Sequence, residues 1–272
     1  MLIQKAAPDD LKFCHHLTEL EDWNYSYEEI STLYSTPGAT FFIARDERPR
    51  GMVATFRYGL MAWLGLLIVS EECRKRGIGT MLLEKALHHE KSQGVTTVRL
   101  EAVQDAVSLY ENLGFTPEFE SLRMKGKSDG NYREYDKIPS EMVEDIAGFD
   151  APYFGASRYH FLKRCFTLSP ITLVKENPAI TGYLMARHAT TCKIGPCVAE
   201  DEKIFTQLLE TVLSQTGGSI TIGIPACNVE GIDVLKHYGF TITSVSVRMV
   251  WGKEGFGGNP KNIFAIGGPE KG

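Results

Sequence analysis

The sequence predicts a mixed α/β fold, a sheet with helices on both faces, built twice within one chain. Two phrases recur at nearly one spacing. "GFTPEFESLRM" (Gly114 to Met124) returns 125 residues later as "GFTITSVSVRM" (Gly239 to Met249), and "TMLLEKAL" (Thr80 to Leu87) returns 126 residues later as "TQLLETVL" (Thr206 to Leu213). Such spacing marks a duplicated domain rather than a short solenoid repeat. Within each unit the apolar spacing alternates between a period of 2 and one of 3.6, as strands feeding helices do. The length, 272 residues, agrees, since a chain beyond ~250 residues usually splits its core.

In the first unit "TFFIA" (40–44) and "GMVATFRYG" (51–59) read as strands joined by the polar turn "RDERPR", and Leu64 to Val69 as a further apolar strand. A helix follows, with apolar residues at 78, 82, 83, 86 and 87, stopping near Gly94; period 3.6 and a terminal glycine define it. "TTVRLEAV" is the next strand. "AVSLYENLGF" is apolar at 106, 109, 110 and 113, with Gly114 where a helix C′ glycine belongs. The last strand carries Leu122 and Met124. Between the units, Glu144 to Phe166 matches neither copy and reads as a linker with a helix from about Ser157. Its Asp150 and Arg158 are charges among aromatics and read as an interdomain brace, because charges near an interface pair; a place in the substrate site is the alternative. The expected partition is residues 1–138, a linker 139–166, and 167–272, with two cores.

Composition sets outer limits. Apolar residues are 43% and charged residues 23%, as in a globular protein. A net charge of −5 argues against a general nucleic-acid or anionic-membrane partner and favours a cationic or neutral amine over an acidic one. The N-terminus "MLIQKAAPDDLKF" places charges where a secretion signal needs an apolar core. The longest apolar run, Gly59 to Val69, is far short of a bilayer span. A cytoplasmic location is the expectation. The six cysteines are scattered and read as free thiols, and Cys192 and Cys197 lack the companions that a zinc site needs.

The chemistry concentrates in "CRKRGIGTMLLEKAL" (Cys73 to Leu87). A strand that runs through a glycine turn into a helix presents unpaired N–H groups at the positive end of the helix dipole, which favours an anion. Gly77 and Gly79 leave room for close approach, and Arg74, Lys75 and Arg76 bring cations. A solvated surface turn is the bland alternative. The second copy is an internal control: at spacing 126 the three basic residues fall on Glu200, Asp201 and Glu202, Gly77 on Lys203 and Gly79 on Phe205. The helix survives in both copies and the loop in one, so the loop answers to a ligand.

"LLIVSEECRKRGIGTMLLEKAL" resembles motif A of the GCN5-related N-acetyltransferases (GNAT), whose R/Q-x-x-G-x-G/A signature falls on Arg74, Gly77 and Gly79; "LEAVQDAVSLYENLGF" resembles their later strand–helix motif. The resemblance covers residues 1–135 well, and the whole chain resembles the tandem subgroup in which an active domain precedes a degenerate one; "EDWN" (Glu21 to Asn24) and "DAPYFGASR" are similar to that subgroup too. The resemblance implies acetyl-coenzyme A as cosubstrate, without a metal. Leu67, Ile68 and Val69 would form the splayed strand along its pantetheine arm, with an N–H of Leu67 or Val69 on the thioester carbonyl. The backbone of Lys75, Arg76, Gly77, Ile78, Gly79 and Thr80 would hold the pyrophosphate, with Arg74 supporting the loop. Tyr110 would protonate the departing thiolate, a task for a donor that is neutral at pH 7. Its counterpart in the second copy is Leu235, so packing alone does not require the hydroxyl. Where many family members have asparagine, seven residues before the tyrosine, this chain has Val103, and the second copy has Asn228.

Glu101, Glu21, Asp22 and Tyr58 are candidate general bases, with no choice among them from sequence. The histidine doublets 15–16 and 88–89 read as exposed, Cys73 as packing, and Trp23 and Trp63 as core residues or walls of an acceptor pocket. The expected reaction is acetyl transfer to a primary amine of a small molecule or peptide by direct attack. The alternative is a non-catalytic acyl-coenzyme A sensor with the second unit as its output.

Overall fold

The computed structural model describes every residue except 24, 131–137, 170, 177, 188–190 and 253–257. The first unit runs β1 (Leu2–Lys5), α1 (Leu11–Leu20), α2 (Tyr27–Tyr34), β2 (Ala39–Arg45), β3 (Pro49–Tyr58), β4 (Met61–Val69), α3 (Ile78–Ser92), β5 (Thr97–Val103), α4 (Val107–Glu111) and β6 (Thr116–Asp129). The linker holds two helices, α5 (Met142–Phe154) and α6 (Tyr159–Leu168). The second unit follows as β7 (Ile171–Glu176), β8 (Ile180–Arg187), β9 (Cys192–Ala199), α7 (Glu202–Gln215), β10 (Gly217–Pro225), α8 (Val229–His237), β11 (Thr241–Gly252) and the short β12 (Ile263–Ala265). Among the described residues no helix is long and apolar enough to cross a membrane. All six cysteines are free thiols.

One sheet runs through the molecule in the order β1-β2-β3-β4-β5-β11-β6-β10-β9-β8-β7, with β12 added to β9. The pairs β4–β5 and β9–β10 are parallel, as expected for strands joined through a crossover helix, and the other pairs are antiparallel. The two echoed phrases are β6 and β11, and they lie side by side with Ser121 opposite Ser246. The duplication is therefore built about a pseudo-twofold axis near that pair. Each echo has crossed over: β11 pairs with β5 of the first unit, and β6 pairs with β10 of the second. A boundary at residue 138 falls between β6 and α5 in sequence, whereas in space the two halves share the β6–β11 pair.

Three cores result instead of the two anticipated. The face of the first unit under α3 and α4 has its own core, including Leu82, Leu83, Leu87, Leu100 and Phe115. Helix α7 and α8 cover a second, with Phe205, Leu208, Leu209 and Leu235. The third is common to both units: Leu17, Ile30, Phe56 and Trp63 join Phe154, Phe161 and Leu162 of α5 and α6 and Tyr183, Met185 and Ile266 of the second unit. The linker is structural filling between the halves, and α5 was not anticipated. Its Pro152 near the end and the left-handed Gly155 beyond it are local stop signals.

The Asp150–Arg158 pair is the brace that the sequence suggested. Arg158 donates from Nε and Nη2 to Asp150 at 2.8 and 2.9 Å, the Tyr183 hydroxyl donates to Asp150 at 2.6 Å, and Arg158 Nη1 donates to the Gly272 carbonyl at 2.8 Å. The guanidinium also stacks 4.0 Å from the Phe154 ring. Both charges are fully buried, so every contact compensates lost hydration.

Candidate active site

Strand β4 is parallel to β5 only from Met61 to Trp63. Beyond Trp63 the strands part, because Leu66 takes a left-handed conformation (φ 53°) and the β3–β4 register shifts there. A bulge of this kind bends its strand away from a neighbour. The β5-facing edge of residues 64–69, which includes Leu67, Ile68 and Val69, is left without a strand partner among the described residues. Such an edge can accept an extended chain as an added strand would.

At the end of β4 the chain enters the basic loop. Arg74 donates from Nε to the Val69 carbonyl at 3.0 Å and its Nη2 pairs with the Glu21 carboxylate, which ties the loop to the corner between α1 and α2. Lys75 (φ 60°) and Gly77 (φ 77°) are both left-handed. Gly77 is the N-cap of α3 and leaves the first turn without a side-chain cap. A Cβ at Gly77 would meet nothing within 4 Å, and one at Gly79 only Val69 at 4.0 Å. The loop is therefore an open cradle bordered by Ile78, Gly79 and Thr80, whose N–H groups have no partner outside the helix among the described residues, and Lys75 and Arg76 are exposed beside it. Uncapped N–H groups, a helix dipole and cations together suit phosphate.

The second copy has neither the open loop nor the uncapped helix. Helix α7 begins at Glu202, the counterpart of Arg76, so it extends about two residues, or ~3 Å, into the space of the loop. Asp201 accepts from the Lys203 and Ile204 N–H groups at 3.0 and 2.9 Å and so uses the helix terminus itself. Strands β9 and β10 also part, after Ile194 and Ile222, but this gap is filled. Strand β12 pairs with β9, Ile266 donates to the Gly223 carbonyl at 2.8 Å, and a side chain at Gly195 would collide with the Ile266 carbonyl. Asn228, which occupies the place of Val103, caps α8 through Gly231 and donates to the Ile263 carbonyl at 3.0 Å, helping to hold the filling segment.

Tyr110 lies on α4, under the face that carries α3. It is 7% exposed, its ring meets Phe115 edge-on at 5.8 Å, and its hydroxyl has no hydrogen-bond partner among the described residues. Burial pushes its pKa up to about 12, so the phenol carries its proton throughout the neutral range. Leu235 fills the equivalent place in its own core. Cys73 packs in the α3 core and is no nucleophile candidate by position.

The candidate bases separate once neighbours are known. Glu101 is held by Arg248 (Nε at 3.0 Å, Nη2 at 2.9 Å), Ser121 (2.9 Å) and Ser246 (2.7 Å), and so is a buried counter-ion joining the two units. Tyr58 donates to the Lys271 carbonyl at 3.1 Å in the common core, and burial drives its pKa far up. Glu21 is engaged with Arg74. Asp22 is exposed at the α1–α2 corner in a left-handed conformation (φ 54°). Asn24 of the "EDWN" phrase lies outside the described residues. Trp63 is a core residue, donating to the Pro269 carbonyl at 3.0 Å, whereas Trp23 is 39% exposed at the corner and packs in no core. His15 is half-buried, with Nε2 2.9 Å from the Tyr25 carbonyl, instead of solvated like His16.

Sequence reading missed the segment 267–272. It crosses the common-core face and lies against β4, where a side chain at Gly65 would collide with Glu270. No periodicity marks so short a stretch; its two glycines before a proline were the only signal.

A twice-built mixed sheet, with an open gap beside β4, a glycine cradle at 77–79 and Tyr110 buried on α4, defines an acyltransferase architecture. Two family models, each described as an acetyltransferase (GNAT) domain, match residues 37–117 and 146–265. The chain belongs to the GNAT acetyltransferases, as a tandem protein of that family. It is 24% identical to the holothin acyltransferase of Pseudoalteromonas sp. (strain SANK 73390) over 98% of this chain and 93% of that one. It is 23% identical to the uncharacterized N-acetyltransferase YitH of Bacillus subtilis (strain 168), over 69% of each chain. A candidate acetyltransferase of Pyrococcus horikoshii has the same fold, with a TM-score of 0.82, 23% identity and coverage of 100% of this chain and 95% of that one.

Proposed function

We propose that the first unit transfers acetyl from acetyl-coenzyme A to a primary amine of a small molecule by direct attack, and that the second unit is a scaffold that binds no coenzyme A. The observation that carries this reading is the asymmetry of the two copies. Gly77 leaves α3 uncapped beside an open gap, and Asp201 caps α7 beside a filled one. Acetyl-coenzyme A supplies the acetyl group as a thioester. The β4 edge at Leu67, Ile68 and Val69 would position the pantetheine arm and offer an N–H to the carbonyl, and residues 75–80 would hold the pyrophosphate. Arg74 orders this loop through Val69 and Glu21. Tyr110 would hold a proton on its hydroxyl and deliver it to the sulfur as the amine displaces it.

Calorimetric titration of the full chain with acetyl-coenzyme A is expected to give one equivalent bound. Gly77→Glu should remove binding, since it adds a carboxylate to the cradle and forces an L side chain to a positive φ. Asp201→Ala should leave that affinity unchanged while costing about 0.5–2 kcal/mol of stability through the lost cap. Two equivalents per chain, or an Asp201 variant with altered affinity, would overturn the asymmetry argument.

A further inference from the structure

At the bulge of β4, Gly65 stands opposite Ala54 and Ile68 opposite Met52, so Leu66 and Leu67 together face Val53. The extra residue is Leu66, which takes the left-handed conformation (φ 53°) that L side chains rarely adopt. Such a conformation persists only where its surroundings hold it. Leu66 is buried in the common core, and on that face the strand is backed by residues 267–272.

That segment is fixed at several points. The Gly267 N–H donates to the Gly272 carbonyl at 2.8 Å, and the Lys271 and Gly272 N–H groups donate to the Gly268 carbonyl at 3.2 and 2.9 Å, so it is a closed turn. Trp63 Nε1 donates to the Pro269 carbonyl, the Tyr58 hydroxyl to the Lys271 carbonyl and Arg158 to the Gly272 carbonyl. Between them Glu270 rests on Gly65, where an added Cβ would collide with the Glu270 Cα, carbonyl oxygen and Cβ. The φ of Gly65 is not positive, so this glycine answers to close approach and not to a turn.

The contact joins the two units. Residues 267–272 continue from β12 and Ile266, which fill the gap between β9 and β10. Gly195 on β9 makes room for the Ile266 carbonyl, and Gly65 on β4 makes room for Glu270 four residues later. One stretch of chain thus closes the gap of the second unit and backs the strand that borders the gap of the first. The basic loop has other anchors, in α3 and in the Arg74–Glu21 pair, so the β4 edge and the cradle can fail one at a time.

We infer that Gly65 and residues 269–271 are positioning residues: the segment beyond β12 holds β4 at its bulge, so that an N–H of Leu67 or Val69 stands where the thioester of an acyl-coenzyme A arm can meet it. The inference rests on the reading that this edge receives the arm. It gives the second unit, which has no cradle of its own, a part in the chemistry of the first. A shift of the edge would misplace the thioester carbonyl and leave the pyrophosphate held, and a displacement of about 1 Å can cost about a hundredfold in rate.

Amide hydrogen exchange and a coenzyme A release assay on the full chain test this. In the parent chain acetyl-coenzyme A is expected to slow exchange about tenfold or more both at 66–69 and at 75–80. Gly65→Ala, whose Cβ must displace Glu270, should lose the slowing at 66–69 and keep it at 75–80, with kcat lowered about tenfold or more and acetyl-coenzyme A affinity lowered by less than about threefold. Trp63→Phe keeps an aromatic ring beside Phe154 and removes the donor to Pro269; it should move the same readouts in the same direction, by about threefold, and it serves if the alanine variant does not fold. A merely structural contact would lower the unfolding midpoint of both variants and leave kcat and the exchange at 66–69 as in the parent chain, which would overturn the inference. Loss of the slowing at 75–80 together with 66–69 would overturn it too. If the parent chain turns over no amine yet Gly65→Ala loses the slowing at 66–69 alone, the transfer reading fails and the positioning role stands.

Discussion

Tyr110→Phe is expected to lower kcat by about two to four orders of magnitude, the usual worth of a positioned general acid, with acetyl-coenzyme A affinity intact. The same substitution should change stability by less than about 0.5 kcal/mol, because it removes a hydroxyl with no partner among the described residues. Unfolding in urea and steady-state kinetics on one variant thus distinguish the two roles. A purely structural tyrosine would give unchanged kcat. With its pKa pushed up to about 12, Tyr110 loses its proton only above about pH 11, so it should impose no alkaline limb on kcat between pH 7 and 10.

Asp150→Ala is expected to cost about 3–5 kcal/mol, because Arg158 would keep a fully buried charge without its counter-ion. The loss should spread, since the pair ties α5, α6, β8 through Tyr183, and the 267–272 segment through Gly272. Denaturant unfolding should show a lower midpoint, and activity should fall with it, as that segment lies against β4. Joint replacement, Asp150→Leu with Arg158→Met, should recover much of the stability by removing both charges. If Asp150→Ala unfolded like the parent chain, the brace would be a bystander.

The legible parts of this protein were those encoded within one stretch of chain. The helix body shared by α3 and α7, the glycine cradle at 77–79 and the hydroxyl of Tyr110 each showed against their own duplicate. Glu101 was harder: as a carboxylate ending a strand it resembled a base until Arg248, 147 residues away, claimed it. Trp23 and Trp63 have the same chemistry, and the packing of Phe154 on α5 and of the 267–272 segment against Trp63 buried one, while the other is left exposed. The filled gap of the second unit depends on β12 and Ile266, too short to carry a pattern.

The sequence by itself determined that one unit is used twice and that a single copy retained the basic glycine loop, because both are comparisons of local pattern. The tertiary structure alone decided that the echoed strands trade places, that Glu101 meets Arg248 across the sheet, and that a common core binds the halves. Strands of identical pattern fit either neighbour; which they take, and which charges then face each other across the sheet, depends on distant registers and on what fills the space between.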